Sequence, residues 1–183
     1  MLEENVVGDL LVEILAAPGT GRLARTLVEE ARLAADISVS FPTSRDPAHF
    51  AVTYEAPAGN REAIEAEIRR EIRRIRIDGV TARELDDAVA RIQRDRATRE
   101  ESAGERAFGL GFWFAVSRPE DAAEYARLLE RIEPDDVRRF ARRHLGERTE
   151  VAVAIEPEEP ATTDDGAEPA VIVRHVPGNR VAI

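Results

Sequence analysis

Residues 10–54 read LLVEILAAPGTGRLARTLVEEARLAADISVSFPTSRDPAHFAVTY, and the fold turns on how that stretch divides. Leu10, Leu11, Val12, Ile14 and Leu15 crowd a helix that is apolar on more than one side, with Gly8-Asp9 as its expected cap after a ragged lead-in over residues 1–9. Ala16-Ala17-Pro18-Gly19-Thr20-Gly21 interrupts it. A second helix, carrying Leu23, Leu27 and Leu33, runs to about Leu33. Asp36 to Phe41 and Phe50 to Tyr54 then alternate with period two, which predicts two strands. Ile37, Val39 and Phe41 point to one face and match Phe50, Val52 and Tyr54 across it. The opposite face, Ser38, Ser40, Ala51 and Thr53, is small and polar, and tolerates solvent or a bound peptide backbone. Pro42 to Pro47 makes the turn. The pattern is that of an α+β domain, with the hairpin as the clearest part of the sheet.

Downstream the chain is mostly helical. Asn60 is placed to cap a helix with Ile64, Ile68, Ile72 and Ile75 on one face and five arginines on the other. Glu62, Glu65, Glu67 and Glu71 stand within reach of those arginines, so a solvated face is favoured over a nucleic-acid patch, which would also need interleaved aromatics. Gly79 breaks that helix, and Thr81-Ala82-Arg83-Glu84 forms a capping box for the next, with Leu85, Ala88, Val89 and Ile92 inward. Ser102 to Glu105 offers a second box. Phe108, Leu110, Phe112, Trp113 and Phe114 form the densest aromatic cluster, and their helical spacing assigns them to the core. Pro119 and Pro134 open two further helices, the last closed by Gly146. Thr149 to Ile155 alternates as a third strand, expected beside the hairpin in a single sheet. Residues 158–169 read as an acidic, Pro-rich linker. Residues 170–183 are strand-like, and the pattern is still running at Ile183, which predicts that the natural chain continues.

Bulk properties exclude several classes. The 183 residues carry no Cys, so disulfides and thiolate–metal sites are ruled out, and no apolar run reaches the ~18–20 residues of a membrane span. No secretory signal opens the chain, and a soluble protein of cytoplasm or periplasm is expected. The net charge of −10 argues against nucleic-acid binding by the whole surface. Pro18 to Arg22 lacks the Gly-Lys-Ser/Thr ending of a phosphate loop and follows a helix, so it reads as a helix–helix joint with glycine at positive φ. His49, His144 and His175 lie far apart in sequence, and neither His-Glu-x-x-His nor its inverse occurs, so no local zinc site or self-contained active site is present.

Four segments, taken in order, resemble the pitrilysin/insulinase (M16) zinc metallopeptidases. Gly19-Thr20-Gly21-Arg22-Leu23 is similar to the family's Gly-rich turn after a helix. Gly79-Val80-Thr81 with Glu84-Leu85 and Ala88 is similar to its Gly-Val-Thr-x-x-Glu-Leu-x-x-Ala helix start. Ile132 to Leu145 resembles its last helix, and Val151 to Pro157 its closing strand. The resemblance implies a LuxS/MPP-like metallohydrolase fold, a mixed or antiparallel sheet with helices on one face. It assigns residues 1–157 to the C-terminal, non-metal-binding half, whose opening strand would lie upstream of Met1. That implies a substrate-chamber half that binds unfolded peptide and closes on a metal-bearing N-terminal half or partner subunit, inactive alone. Zinc is then expected in that partner, not in this chain, and the parent protein is expected to be a zinc metalloendopeptidase. The family can supply an Arg and a Tyr, seven apart, to steady substrate. Here Val28 and Ala35 stand at those positions, and neither donates a hydrogen bond from its side chain. Val28, Ala35, Ser38 and Ser40 are therefore the substrate-contact candidates, with no catalytic, metal or cofactor residue assigned. The departure keeps an alternative open, an M16-like assembly module without proteolytic activity. An unpaired sheet edge would also favour homo-oligomers.

Overall fold

In the computed structural model, residues 2–43, 49–146, 150–156 and 172–174 are described. They fall in two units, 1–145 and 146–183.

The first unit is built around helix α1, Leu2–Ala16, with Val6, Leu10, Leu11 and Leu15 fully buried. The helix begins eight residues before the position expected from sequence, so Gly8 and Asp9 are mid-helix and not a cap. Gly8 is needed there for packing. A Cβ on it would sit 2.1 Å from Cδ1 of Phe41. Phe41 also packs edge-on against Phe140, centroids 5.6 Å apart. The chain then turns through Gly19, at φ +72°, and Gly21, where a Cβ would meet the Ala17 nitrogen at 2.6 Å. The helix–helix joint read from the sequence, with glycine at positive φ, is what forms.

The second helix is wound as a π-helix, Ala24–Glu30, and is shorter than its apolar spacing suggested. Its wide turns show in the bond from Ala31 N–H to the Thr26 carbonyl, 3.0 Å. Leu33 and Ala34 N–H both donate to the Leu27 carbonyl, and Arg32, at φ +51°, reverses the chain. Asn60 closes this corner, donating its side-chain amide to the Leu33 carbonyl at 2.8 Å in place of capping the following helix.

Strands β1, Asp36–Ser40, and β2, Ala51–Glu55, pair antiparallel, with Ile37 opposite Tyr54 and Val39 opposite Val52. The facing pairs follow the period-two reading, while the strands leave out Phe41 and Phe50 and take in Glu55. Part of the expected turn, residues 44–47, lies outside the described residues.

Helix α2, Arg61–Asp78, buries Ile64 and Ile75 and ends at Gly79, φ +78°. On its outer face Arg69 pairs with Glu65 at 2.9 Å and Arg70 with Glu67 at 2.6 Å. Helix α3, Ala82–Glu100, opens with the expected capping box: Glu84 N–H donates to Thr81 Oγ1, and Thr81 N–H donates to the Glu84 carboxylate at 2.8 Å. Helices α4, Ala103–Val116, α5, Asp121–Leu129, and α6, Pro134–His144, complete the unit. α1 packs against α3, α5, α6 and β1, and α2 against α6.

α4 overturns one expectation. It buries no residue, and Phe108, Leu110 and Phe114 are 71, 60 and 74% exposed. Only its other flank leans on the body, where Trp113 lies 5.8 Å from the Tyr125 ring. Helical spacing identified an apolar helix, but spacing carries no information on what covers it.

The second unit holds β3, Ala154–Glu156, paired antiparallel with β4, Ile172–Arg174. The expected single sheet of the hairpin with Val151–Ile155 is not formed: among the described residues each sheet has two strands. Alternation specified a strand with two distinct faces and left its hydrogen-bonded neighbour unspecified. The rest of 158–183 lies outside the described residues.

Candidate functional site

The open face of the hairpin is the surface that sequence singled out. Ile37 and Val39 are buried against the helices, so the pleat turns Ser38 and Ser40 outward. Thr53 stands opposite Ser38, and Ala51 opposite Ser40, which makes a small, uncharged surface bounded at one end by Asp36 opposite Glu55. Ala35 is exposed at the foot of β1, where its N–H donates to the Glu55 carbonyl at 2.7 Å and extends the ladder. Val28 is elsewhere: it packs, partly buried, against the core from the π-helix. Ser38 and Ser40 thus share the open face, whereas Ala35 precedes β1 and Val28 lies in the packing.

Two charged clusters have no local sequence signal. Asp9 on α1 accepts a hydrogen bond from the Tyr125 hydroxyl on α5 at 2.6 Å. Burial pushes the Asp9 carboxyl up to about 6, with the Glu13 charge adding to it and the Tyr125 bond opposing it. Burial and the neighbouring Asp9 likewise push the Tyr125 hydroxyl up, and the Arg96 guanidinium lies over its ring, 5.2 Å from the centroid. With Tyr125 6% exposed, this cluster ties α1 and α5 together.

The second cluster centres on Arg22, just after the glycine joint. Its guanidinium grips Glu84 through two bonds, 2.7 and 2.9 Å, and stands 3.7 Å from Glu71. The Arg22 fork holds the Glu84 carboxyl down to about 2 against a burial effect that raises it, helped by Thr81. Glu71 is 3% exposed, and Arg74 at 2.7 Å completes its neutralisation. The Gly-Arg-Leu turn and the capping-box Glu, quoted above as separate motifs, are one ion-paired joint.

An open cleft of about 460 Å³ between the start of α1 and α6 is lined by Glu3, Glu4, Phe140 and Arg143 among others. Its charges cancel internally: Glu4 takes both Arg143, at 3.3 Å, and His144, at 3.2 Å.

Among the described residues, no donor set fits zinc. His49 is exposed beside the hairpin connection, His144 is engaged with Glu4, and His175 lies outside the described residues. Among the described residues no three His, Cys, Asp or Glu side chains gather to hold a metal ion. Nor, among them, is any helix long and apolar enough to cross a membrane.

The family model of the peptidase M16 inactive domain matches residues 1–92. The chain belongs to the M16 peptidase family. Solved structures agree in fold. A protease from Helicobacter pylori superposes with a TM-score of 0.74 at 19% identity, over 79% of this chain and 35% of that one. The inactive peptidase domain of a Bordetella parapertussis protein classed as a zinc protease gives 0.70 at 19% identity, covering 80% of each chain. The periplasmic protease PqqL from Escherichia coli gives 0.61 at 16% identity, over 78% of this chain and 16% of that one. The M16 chain described here therefore spans about a third of the Helicobacter protein and a sixth of PqqL. No curated protein matches it.

Proposed function

We propose that this M16 inactive domain is the substrate-chamber half of a zinc metallopeptidase. It holds unfolded peptide against the hairpin and closes on a metal-bearing half or partner subunit, where the zinc resides. The observation that carries the reading is the hairpin itself. Its open face is small and uncharged at Ser38, Ser40, Ala51 and Thr53, with the Asp36–Glu55 pair at one end, and among the described residues neither outer edge has a further strand. A strand edge offers alternating backbone donors and acceptors to any extended chain, independent of its sequence. Such binding suits a chamber that receives varied unfolded substrates.

The alternative, an assembly module without proteolysis, draws on Val28 and Ala35. Val28 packs against the core, and Ala35 presents only a methyl group, so neither side chain can steady a substrate carbonyl. Fluorescence anisotropy with a labelled unfolded peptide separates the two. The chamber reading expects measurable binding without cleavage by the chain alone, weakened at least tenfold by Ser38→Glu with Ser40→Glu. No binding, or binding indifferent to those substitutions, would leave the assembly module.

A further inference from the structure

We propose that Asp9 and Tyr125 form a pH-sensitive latch, which fastens the arm made of α4 and α5 to α1 in mildly acid solution and loosens it near neutral pH. The inference is independent of the peptide-binding reading.

The arm is lightly attached. α4 buries no residue, and α5 buries Tyr125 and Leu129 alone. α5 meets the body at α1, and α4 packs on α3 and α5. Gly109 and Gly111 lower the helix propensity of α4, and a Cβ at either would meet nothing within 4 Å, so packing does not call for them. Segments with few buried contacts open first, without unfolding the rest.

The attachment converges on one side chain. Tyr125 donates its hydroxyl to Asp9 of α1 at 2.6 Å. Arg96 of α3 lies over the tyrosine ring and donates to the Ala122 carbonyl at 3.3 Å. Trp113 of α4 leans on the same ring, centroids 5.8 Å apart. Four helices therefore meet at Tyr125, and the group bonded to its hydroxyl is a carboxyl that titrates.

The surroundings of Asp9 make that bond respond to pH. Among the described residues no cation is bonded to Asp9. Glu13, a turn along α1, has the same sign and takes Arg91 of α3 at 3.1 Å. The Arg96 guanidinium is engaged with the ring and the α5 backbone. On α5 Arg127 pairs with Glu124 at 2.9 Å, and on α6 Arg143 and His144 go to Glu4. β1 turns Ile37 and Val39 inward and leaves Asp36 exposed. An ionised Asp9 thus keeps one hydrogen bond from a neutral donor, and opening the arm returns it to water. Burial holds the carboxyl at about 6 with the arm closed, against an ordinary 3.8. A group raised in the closed state stabilises that state fully below 3.8 and loses the effect as pH rises through 6. Opening is then about tenfold more frequent at pH 8 than at pH 5.

Hydrogen exchange on the full chain at pH 5, 6.5 and 8, divided by the intrinsic rate at each pH, reads the opening segment by segment. Amides of α4 and α5 should lose about tenfold in protection from pH 5 to pH 8, and those of α2 should not. Trp113, the one tryptophan of the chain, should become more accessible to acrylamide over the same range. Asp9→Asn should abolish both changes. Tyr125→Phe removes the bond that favours the ionised carboxyl, so the midpoint should move to higher pH. Circular dichroism checks that both variants stay folded. Protection in α4 and α5 that is flat with pH overturns the proposal, as does a pH dependence that survives Asp9→Asn or a midpoint unmoved by Tyr125→Phe. So does a loss shared evenly by α2, which belongs to unfolding of the whole chain.

Discussion

Replacing Asp9 by Asn should stabilise the protein, and only above mildly acidic pH. The carboxyl lies in the packing between α1 and α5, bonded to Tyr125, with Glu13 one turn along the same helix and Arg96 held over the tyrosine ring. Its value in the folded state, about 6, stands above the ordinary 3.8. A group raised on folding favours the protonated native state, so its contribution is fully present below 3.8 and is lost as pH rises through 6. The difference of 2.2 between those values, at 1.36 kcal/mol per unit, makes the ionised Asp9 cost about 3 kcal/mol at pH 8. Asn keeps an oxygen to accept the Tyr125 hydroxyl and carries no charge to desolvate. Urea melts of wild type and Asp9→Asn at pH 4, 6 and 8 read the effect. The expected gain is near zero at pH 4, grows through pH 6 and reaches about 2–3 kcal/mol at pH 8. A gain independent of pH, or an Asn variant less stable than wild type at pH 8, refutes the claim that burial dominates at Asp9.

Arg22→Ala removes the cation shared by Glu84 and the buried Glu71. Because Arg22 and Glu84 keep some solvent contact, the loss should fall below that of a fully buried pair, at about 2 kcal/mol in chemical denaturation at pH 7. The Glu84 share has the opposite pH sign to Asp9. Its folded value is held down to about 2, so it is present above about 4.5 and fades as pH falls toward 2, and wild type and variant should converge there. Gly8→Ala would gain up to about 1 kcal/mol from helix propensity alone. The Phe41 ring already occupies the Cβ position, so thermal melts should show a net loss of roughly 1–3 kcal/mol.

How much of this was legible in the sequence depended on the range of the interaction. The hairpin register followed from alternation within five residues on each side, and the α3 start from Thr81 and Glu84, three apart. Both are local rules that the backbone obeys without help from the rest of the chain. The Asp9–Tyr125 bond joins residues 116 apart and the Arg22–Glu84 pair residues 62 apart, and no spacing rule reaches that far. Asp9 looked like a cap residue because a short polar side chain after Gly8 is what caps look like. Only the burial of Val6 and Val7 on the same helix makes it an interior group. The candidate face divided along the same line. Ser38 and Ser40 were readable because parity along a strand fixes their side of the sheet, whereas Val28 was placed by alignment with a family position, and its π-helical winding carries it into the packing. α4 marks where local sequence stops specifying the environment. Its composition announced burial, and the described residues do not supply it. An apolar helix face is a statement about an environment, and spacing alone does not say what supplies it.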